Sequence, residues 1–370
     1  MCRSSLFCIS TIVAVALFAI GAVAQNPTPT PGRIDDPNDV IKVSSRLIMV
    51  PASVSDASGN AVAGLTASDF KILEEGRQQT LENVSPGEKV PLEIALLFDV
   101  SASTDAMFDY ELDTAARFLQ GVMRPDDRAS VFAIGASPLM VQSRDTVDRA
   151  AAAIKTLRPT KNYTAFYDTV RLAADYLIRN APEHSRRVVL VISDGEDTNS
   201  TRVAKAIQDG YRKIDVNKID DKTRYQLTVK SSLDASLAER QRVLQLLQNA
   251  DTVFYSINPA GNSYQLNKIS VFGQENMDKF AADTGGTAFV PRFKAMDAKL
   301  SYDKATNIRL NGEMLDQIFR QLANELRSQY LVQYYSETDY PNGRYVKLDV
   351  AVPTRPGVKI RARQGYYAKN

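Results

Sequence analysis

The stretch Leu92-Glu93-Ile94-Ala95-Leu96-Leu97-Phe98-Asp99-Val100-Ser101-Ala102-Ser103 decides how the rest of the chain is read. Up to Phe98 it is almost continuously apolar. A strand with one wet face would alternate between apolar and polar residues, so this run is expected of a strand covered on both sides, as in parallel sheets flanked by helices. It then breaks abruptly into an acid and two hydroxyl residues. Ligands of open parallel sheets bind beyond the carboxyl ends of the strands, so that break is the first place to look for chemistry.

Downstream the pattern repeats. Phe108, Leu112, Ala115, Ala116 and Leu119 fall at helical spacing on one face, with Asp105, Asp109 and Asp113 off it. Strand and helix texture then alternates: a strand over Ala129–Ile134, helices near Val147–Leu157 and Tyr167–Ile178, and a strand over Arg187–Ile192. A helix near Leu237–Asn249, a strand over Thr252–Ile257, a short helix over Met277–Ala282, a strand over Thr287–Val290 and a long helix over Leu315–Leu326 complete the series. The expected class is α/β, with a doubly wound, mainly parallel sheet. The segment 210–236 is rich in charge and has no clean period, and is read as a surface insertion.

On either side of this region the period changes to two. Short β-like runs occupy Ile41–Ala52, Ala61–Leu65, Phe70–Glu74 and Gln79–Val84, punctuated by Asp56-Ala57-Ser58-Gly59-Asn60 and Glu75-Gly76. After the last helix come Tyr330–Tyr335, Tyr345–Val352 and Val358–Arg363, with a hairpin signal at Asp339-Tyr340-Pro341-Asn342-Gly343. Three or four short strands are marginal by themselves. The two ends are therefore expected to pack together as one small antiparallel β-module with the α/β domain inserted between them. The expected organisation is an N-terminal β-segment over 40–88, the α/β domain over 89–328 and a C-terminal β-segment over 329–368.

Composition bounds the partners. The 370 residues are 44% hydrophobic, enough for a sizeable core, and 45 Lys plus Arg nearly balance 43 Asp plus Glu. No whole-chain field favours nucleic acid or an anionic membrane, so binding should be local. The first 24 residues carry one arginine, an apolar stretch from Phe7 to Val23 and the triplet Ala22-Val23-Ala24, the pattern of a cleaved export signal. Residues 25–39 form a proline-rich spacer. Cys2 and Cys8 both lie inside the signal, so the mature chain offers neither disulfides nor thiol catalysis. No later segment is long and apolar enough to span a membrane, and the expected location is periplasm, cell surface or medium.

Three places beyond the apolar strands carry oxygen ligands: Asp99-Val100-Ser101-Ala102-Ser103, then Tyr163-Thr164-Ala165, then Asp194-Gly195. Alternation lets Asp99, Ser101 and Ser103 point to one side of their turn, and Gly195 permits a tight turn beside Asp194. Two carboxylates and three hydroxyls are hard donors, suited to Mg²⁺ or Mn²⁺ and not to the usual zinc chemistry.

With this set in order along the chain, the sequence resembles von Willebrand factor A domains bearing the metal-ion-dependent adhesion site. The Leu-Phe-Asp-Val-Ser-Ala-Ser and Val-Leu-Val-Ile-Ser-Asp-Gly-Glu-Asp segments are also similar to a group of exported bacterial proteins described as related to that factor, and the likeness extends over about Val40 to Tyr367. The resemblance implies direct metal ligation by Ser101, Ser103 and Thr164, with Asp99 and Asp194 acting in part through water. One departure is Asn162-Tyr163, where the family is often glycine-rich.

The implied function is non-enzymatic: adhesion-type binding in which the ion engages an Asp or Glu carboxylate of a protein partner. Two other readings remain open, a structural envelope component in which the metal only stabilises the fold, and a metal-dependent hydrolase. For the latter there is little chemistry, since the sole histidine, His184, is far from the motif and no spare carboxylate is clearly placed as a base. Glu196 and Asp197 are expected to form a solvated acidic loop, and Asp168 to cap or fix the helix after Thr164. The tyrosines at 330, 334, 335, 366 and 367 are expected to pack the β-module.

Overall fold

The near-continuous apolar runs of the central region become five parallel strands of a six-stranded sheet: β5 (Leu92–Asp99), β6 (Arg128–Ile134), β8 (Arg186–Ile192), β9 (Thr252–Ile257) and β10 (Ala288–Phe289). The sixth, β7 (Leu139–Asp145), pairs antiparallel to β6 at one edge. This is a computed structural model that describes residues 46–101, 107–160, 162–212, 220–259, 261, 268–294 and 301–368. The export signal, the proline-rich spacer and Ser103 lie outside the described residues, as do positions 213–219 of the segment read as an insertion.

The strand order is β10-β9-β8-β5-β6-β7. From β5 the chain moves outward to β6 and β7, then returns to β8 on the other side of β5 and continues to β9 and β10. The topological switch point therefore lies between β5 and β8, whose register places Phe98 opposite Ile192. Every residue of β5 is buried because helices cover both faces. On one face Ile94, Leu96 and Phe98 pack with residues of α1 (Phe108–Val122) and α7 (Ser301–Arg327). On the other, Ala95 and Leu97 pack with α3 (Phe166–Asn180), α5 (Asp221–Asn249) and α6 (Lys268–Thr284). The helices α2 (Val147–Ile154) and α4 (Thr201–Arg212) complete the layers.

The two ends of the described chain interleave. One sheet has the order β13 (Lys359–Ala362), β1 (Arg46–Ser55), β11 (Tyr330–Ser336), β4 (Leu81–Pro86); the other runs β14 (Gly365–Tyr367), β12 (Tyr345–Ala351), β2 (Lys71–Glu74), β3 (Arg77–Gln78). Their shared core contains Ile48, Val50, Ile72, Val332, Tyr334, Val346 and Leu348. N-terminal strands thus pair with C-terminal strands in both sheets, β1 with β11 and β2 with β12. The fold class is the expected one, a doubly wound α/β domain carried on a small antiparallel module built from both chain ends. Glu75 and Gly76, both with positive φ (47° and 80°), make the two-residue turn between β2 and β3.

Several elements differ from the sequence expectation. β7 carries polar residues on an exposed edge and lacks a strand-like apolar run. The region 210–236 is largely helical: its described parts belong to α4 and to α5, whose N-terminal half packs on α4 rather than on the sheet. A helix whose neighbour is another surface helix needs only a narrow apolar contact, which explains the missing period. The run at Ala61–Leu65 contributes only an isolated bridge at Ala61, because Gly64 takes φ 77° and turns the chain away. Tyr330, Tyr334 and Tyr366 are buried in the module, whereas Tyr335 is exposed.

Candidate metal centre at the carboxyl edge of the sheet

The switch point brings Asp99, at the end of β5, beside the residues that follow β8. Asp99 Oδ1 accepts hydrogen bonds from the backbone N–H of Ser101 at 2.9 Å and from its hydroxyl at 2.6 Å. Asp99 Oδ2 accepts from the Ser193 hydroxyl at 2.6 Å, and Ser193 Oγ in turn accepts from the Gly195 N–H at 2.9 Å. Ser193 is fully buried and was not singled out from sequence. Its signal was present: it directly precedes Asp194 where the apolar strand ends.

Asp194 Oδ1 accepts from the Glu196 N–H at 3.0 Å, the turn expected of Asp-Gly. Burial, then the neighbouring charge of Asp99, push the Asp194 carboxyl from its ordinary value of 3.8 up to about 7. Burial also raises Asp99. Two carboxylates thus face each other in a desolvated crevice, and neither forms an ion pair with a lysine or arginine among the described residues. Opposed acids of this kind hold a proton more tightly or are relieved by a cation.

Gly195 shapes the turn for two reasons. Its φ is 77°, and a Cβ there would come within 2.5 Å of the Gly273 carbonyl oxygen on α6. The loop after β8 and helix α6 are in backbone contact, and only glycine on both sides allows it.

The Thr164 loop is laced to the same assembly. Thr164 N–H donates to Thr198 Oγ1 at 2.8 Å, and the Thr164 carbonyl accepts from the N–H groups of Thr198 and Asn199, each at 2.9 Å. Thr160 N–H donates to the Val100 carbonyl at 2.7 Å, and Ala165 N–H to the Gly135 carbonyl at 2.7 Å. Thr164 is buried, and its hydroxyl makes no hydrogen bond among the described residues, which leaves it available as a ligand.

Of the residues singled out from sequence, Asp99, Ser101 and Asp194 come together directly. Thr164 is tied to the loop that follows Asp194, and Ser103 lies outside the described residues. Among the described residues no group of three or more His, Cys, Asp or Glu forms a conventional cage. The donor set is two carboxylates with neutral hydroxyls, and it fits a small hard divalent ion.

The acidic loop is not the solvated feature expected from sequence. Asp197 is mostly buried and accepts from the Tyr167 N–H at 3.3 Å and from the Ser200 hydroxyl, which places it at the N-terminus of α3. Its carboxyl is pushed up to about 6 by burial. Glu196 accepts from the Ser270 hydroxyl on α6. Asp168 lies in the first turn of α3, yet its Oδ2 accepts from Thr201 N–H at 2.9 Å and Thr201 Oγ1 at 2.7 Å, so it secures the start of α4. These acids use backbone and hydroxyl donors to fix the loops around the crevice. His184 is exposed, in a turn with φ 61°.

Residues 94–196 match the family model for the von Willebrand factor type A domain, a span that begins within β5 and ends just past Asp194. Over that span the chain is similar to von Willebrand factor type A domains. No curated protein matches it significantly over its sequence. Among solved structures it is similar to an aerotolerance-related membrane protein from Bacteroides fragilis, at 12% identity over 61% of this chain and 99% of that one, with a TM-score of 0.34. It is also similar to proximal thread matrix protein 1 of the mussel byssus, at 14% identity and TM-score 0.41, where 69% of this chain covers half (50%) of that one. A third is the von Willebrand factor domain of the type V pili tip protein Mfa5 from Porphyromonas gingivalis, at 11% identity, 63% and 96% coverage, and TM-score 0.36.

Proposed function

We propose that this is an exported binding protein that holds Mg²⁺ or Mn²⁺ on Asp99, Ser101, Ser103, Thr164 and Asp194, and through it engages an aspartate or glutamate of a protein partner. The observation that carries this reading is the desolvated pair Asp99–Asp194, which has no ion-pair partner among the described residues, with the Ser101 hydroxyl bonded to Asp99 and Thr164 buried in the loop tied to the segment after Asp194. When bound, the ion supplies an electrophilic centre, since neutral hydroxyls and two carboxylates leave it able to accept another anionic oxygen.

The remaining steps belong to the chain itself. Ser193 and Ser101 orient Asp99 through both carboxylate oxygens. The Asp194 turn is fixed by Gly195 against α6, and the Thr164 loop by Thr198 and Asn199. A site whose positions are set in advance loses little conformational entropy when a ligand arrives. Binding is favoured over hydrolysis because the two further acids nearby, Glu196 and Asp197, are already engaged by Ser270 and Ser200 and secure the loops. Export rests on the N-terminal sequence, and no helix among the described residues is long and apolar enough to cross a membrane.

The test is capture from a bacterial envelope extract by the immobilised mature protein, in Mg²⁺ and in EDTA, with Thr164→Ala in parallel. A partner held only in Mg²⁺ by the wild type, released by EDTA and lost from a folded Thr164→Ala variant is the expected result. Capture that is indifferent to metal would place the working surface elsewhere, most plainly on the β-module.

A further inference from the structure

Where α6 meets the β-module, a cleft of about 460 Å³ opens between the second half of α6, β10, β12 and β13. That volume lies within the roughly 300–1,000 Å³ typical of ligand sites. None of Asp99, Ser101, Thr164 and Asp194 lines it.

Three strand edges turn unpaired main chain into this cleft. β10 ends the central sheet, and the carbonyls of Thr287 and Phe289 accept from the N–H groups of Ser256 at 3.2 Å and Asn258 at 3.0 Å on the β9 side. Main-chain groups alternate sides along a strand, so Ala288, between them, turns its N–H and C=O to the open edge. On β12, Leu348 N–H donates to the Gln364 carbonyl at 2.8 Å on the β14 side, and pairing with β14 covers only residues 345–347. Val350, two residues on, faces the same way with no strand opposite it. β13 ends its own sheet. The Val54 carbonyl of β1 accepts from Val62 N–H at 2.9 Å, so Ser53 and Ser55 are the residues of β1 turned toward β13, where they lie opposite Arg361 and Lys359. Ile360, between those two, therefore faces outward. Ala288, Val350 and Ile360 all line the cleft.

Strand edges left unpaired are templates for another strand, and proteins usually cover them or guard them with charge. The groups that three edges present here are those that a further extended main chain satisfies. Charge narrows the ligand. Two arginines line the cleft, but Arg361 is held by Glu325 at 3.1 Å and Arg363 by Asp251. Asp349 is paired with Lys347 at 3.2 Å, and Lys279 on α6 with Asp283 at 2.7 Å. Asp278, which also lines the cleft, has no ion-pair partner among the described residues. Burial raises its carboxyl above the ordinary 3.8; a hydrogen bond with Gln274 offsets this in part, and the charge of Glu275 adds to it. The uncompensated charge in the cleft is thus negative, which suits a cationic side chain and disfavours phosphate groups.

We infer that the cleft binds an extended, basic peptide segment of a protein partner, its main chain laid along the edges at Ala288, Val350 and Ile360 and a lysine or arginine directed to Asp278. Main-chain hydrogen bonds supply the affinity, and Asp278 selects the side chain. The site is separate from the metal crevice and does not depend on the carboxylate reading above.

Three N-acetylated, C-amidated peptides test this against the full mature protein by calorimetric titration: Thr-Val-Lys-Val-Thr, Thr-Val-Glu-Val-Thr, and the first with both valine nitrogens methylated. EDTA throughout keeps the crevice out of the comparison. The lysine peptide is expected to bind saturably, about tenfold more tightly than the glutamate peptide. Methylation keeps the side chains and removes two N–H donors, and should weaken binding about tenfold. Asp278→Asn, with its circular dichroism unchanged, should bring the lysine and glutamate peptides within about twofold of each other. A lysine peptide that does not bind, or that binds equally well when methylated, overturns the inference; so does a folded Asp278→Asn variant that keeps the full preference for lysine. Each of these results leaves the reading of the metal crevice standing, because no arm of the test involves the ion.

Discussion

The central sheet and the β-module solve the same problem, burying strands, in opposite ways. In the central sheet both faces are covered by helices, so β5 is buried throughout: Glu93 at its start is paired with Arg144, and Asp99 closes it at the carboxyl end. Asp99 and the residues after it are then free to face a crevice. In the module two antiparallel sheets cover each other, and polar groups are spent internally. Glu74, only 1% exposed, accepts from the hydroxyls of Tyr366 at 2.7 Å and Ser336 at 2.8 Å. One buried acid network thus serves cohesion, while the Asp99–Asp194 pair has carboxylates still wanting a counter-charge. Burial of an acid by itself does not mark a functional site: Glu74 Oε2 also lacks a hydrogen-bond partner among the described residues, and what sets the crevice apart is a second carboxylate, Asp99, whose charge adds to the burial of Asp194 at the carboxyl edge of the sheet.

The largest effect that would sharpen this contrast is expected at Gly195. Its φ of 77° and the 2.5 Å approach of a Cβ to Gly273 mean that Gly195→Ala must both strain the backbone and push α6 away. A loss of about 4 kcal/mol in chemical denaturation is expected, together with loss of metal binding.

Next in size is a pH effect. The folded protein keeps a proton on Asp194 up to about pH 7, whereas the unfolded chain releases it near the ordinary value of 3.8. Stability of the metal-free protein should therefore fall as pH rises from about 4 to about 7, by on the order of 4 kcal/mol. Melting curves across that range, compared with Asp194→Asn, check it: the variant should have a clearly shallower slope, the remainder coming from the raised Asp99 and Asp197, and saturating Mg²⁺ should offset the decline in the wild type. A metal-free wild type that becomes more stable over the same interval would contradict the sign.

In the module, Tyr366→Phe removes a hydrogen bond to a buried carboxylate and should cost about 2 kcal/mol, with metal affinity untouched. Smallest is Gly64→Ala, which has the same φ of 77° as Gly195 but nothing within 4 Å of its Cβ. Only the backbone preference remains, about 1 kcal/mol. Equal losses at Gly64 and Gly195 would remove the packing argument for the loop.

Much of this was legible in the sequence because the relevant signals are local. The run Leu92–Phe98 announces a doubly covered strand, and the acids and hydroxyls after it announce the crevice. What escaped depends on distant neighbours. β7 is an edge strand whose half-exposed residues carry no run to read. The N-terminal half of α5 lies against α4 and shows no amphipathic period. Asp197 resembles a solvated loop acid until Tyr167 and Ser200 are brought to it by the fold, and Ser193 acquires its role only because β8 lies beside β5. The sequence also allots Asp168 to its own helix, whereas its carboxylate reaches the start of the following one.

The central claim is that the Asp99–Asp194 crevice is completed by a divalent ion. Calorimetric titration of the metal-stripped mature protein with Mg²⁺ and Mn²⁺, beside folded Asp99→Ala and Asp194→Ala variants, tests it most directly. Saturable binding by the wild type that disappears in both variants is the predicted result; a folded wild type that takes up neither ion, or an Asp194→Ala variant that binds as well as the wild type, would contradict it.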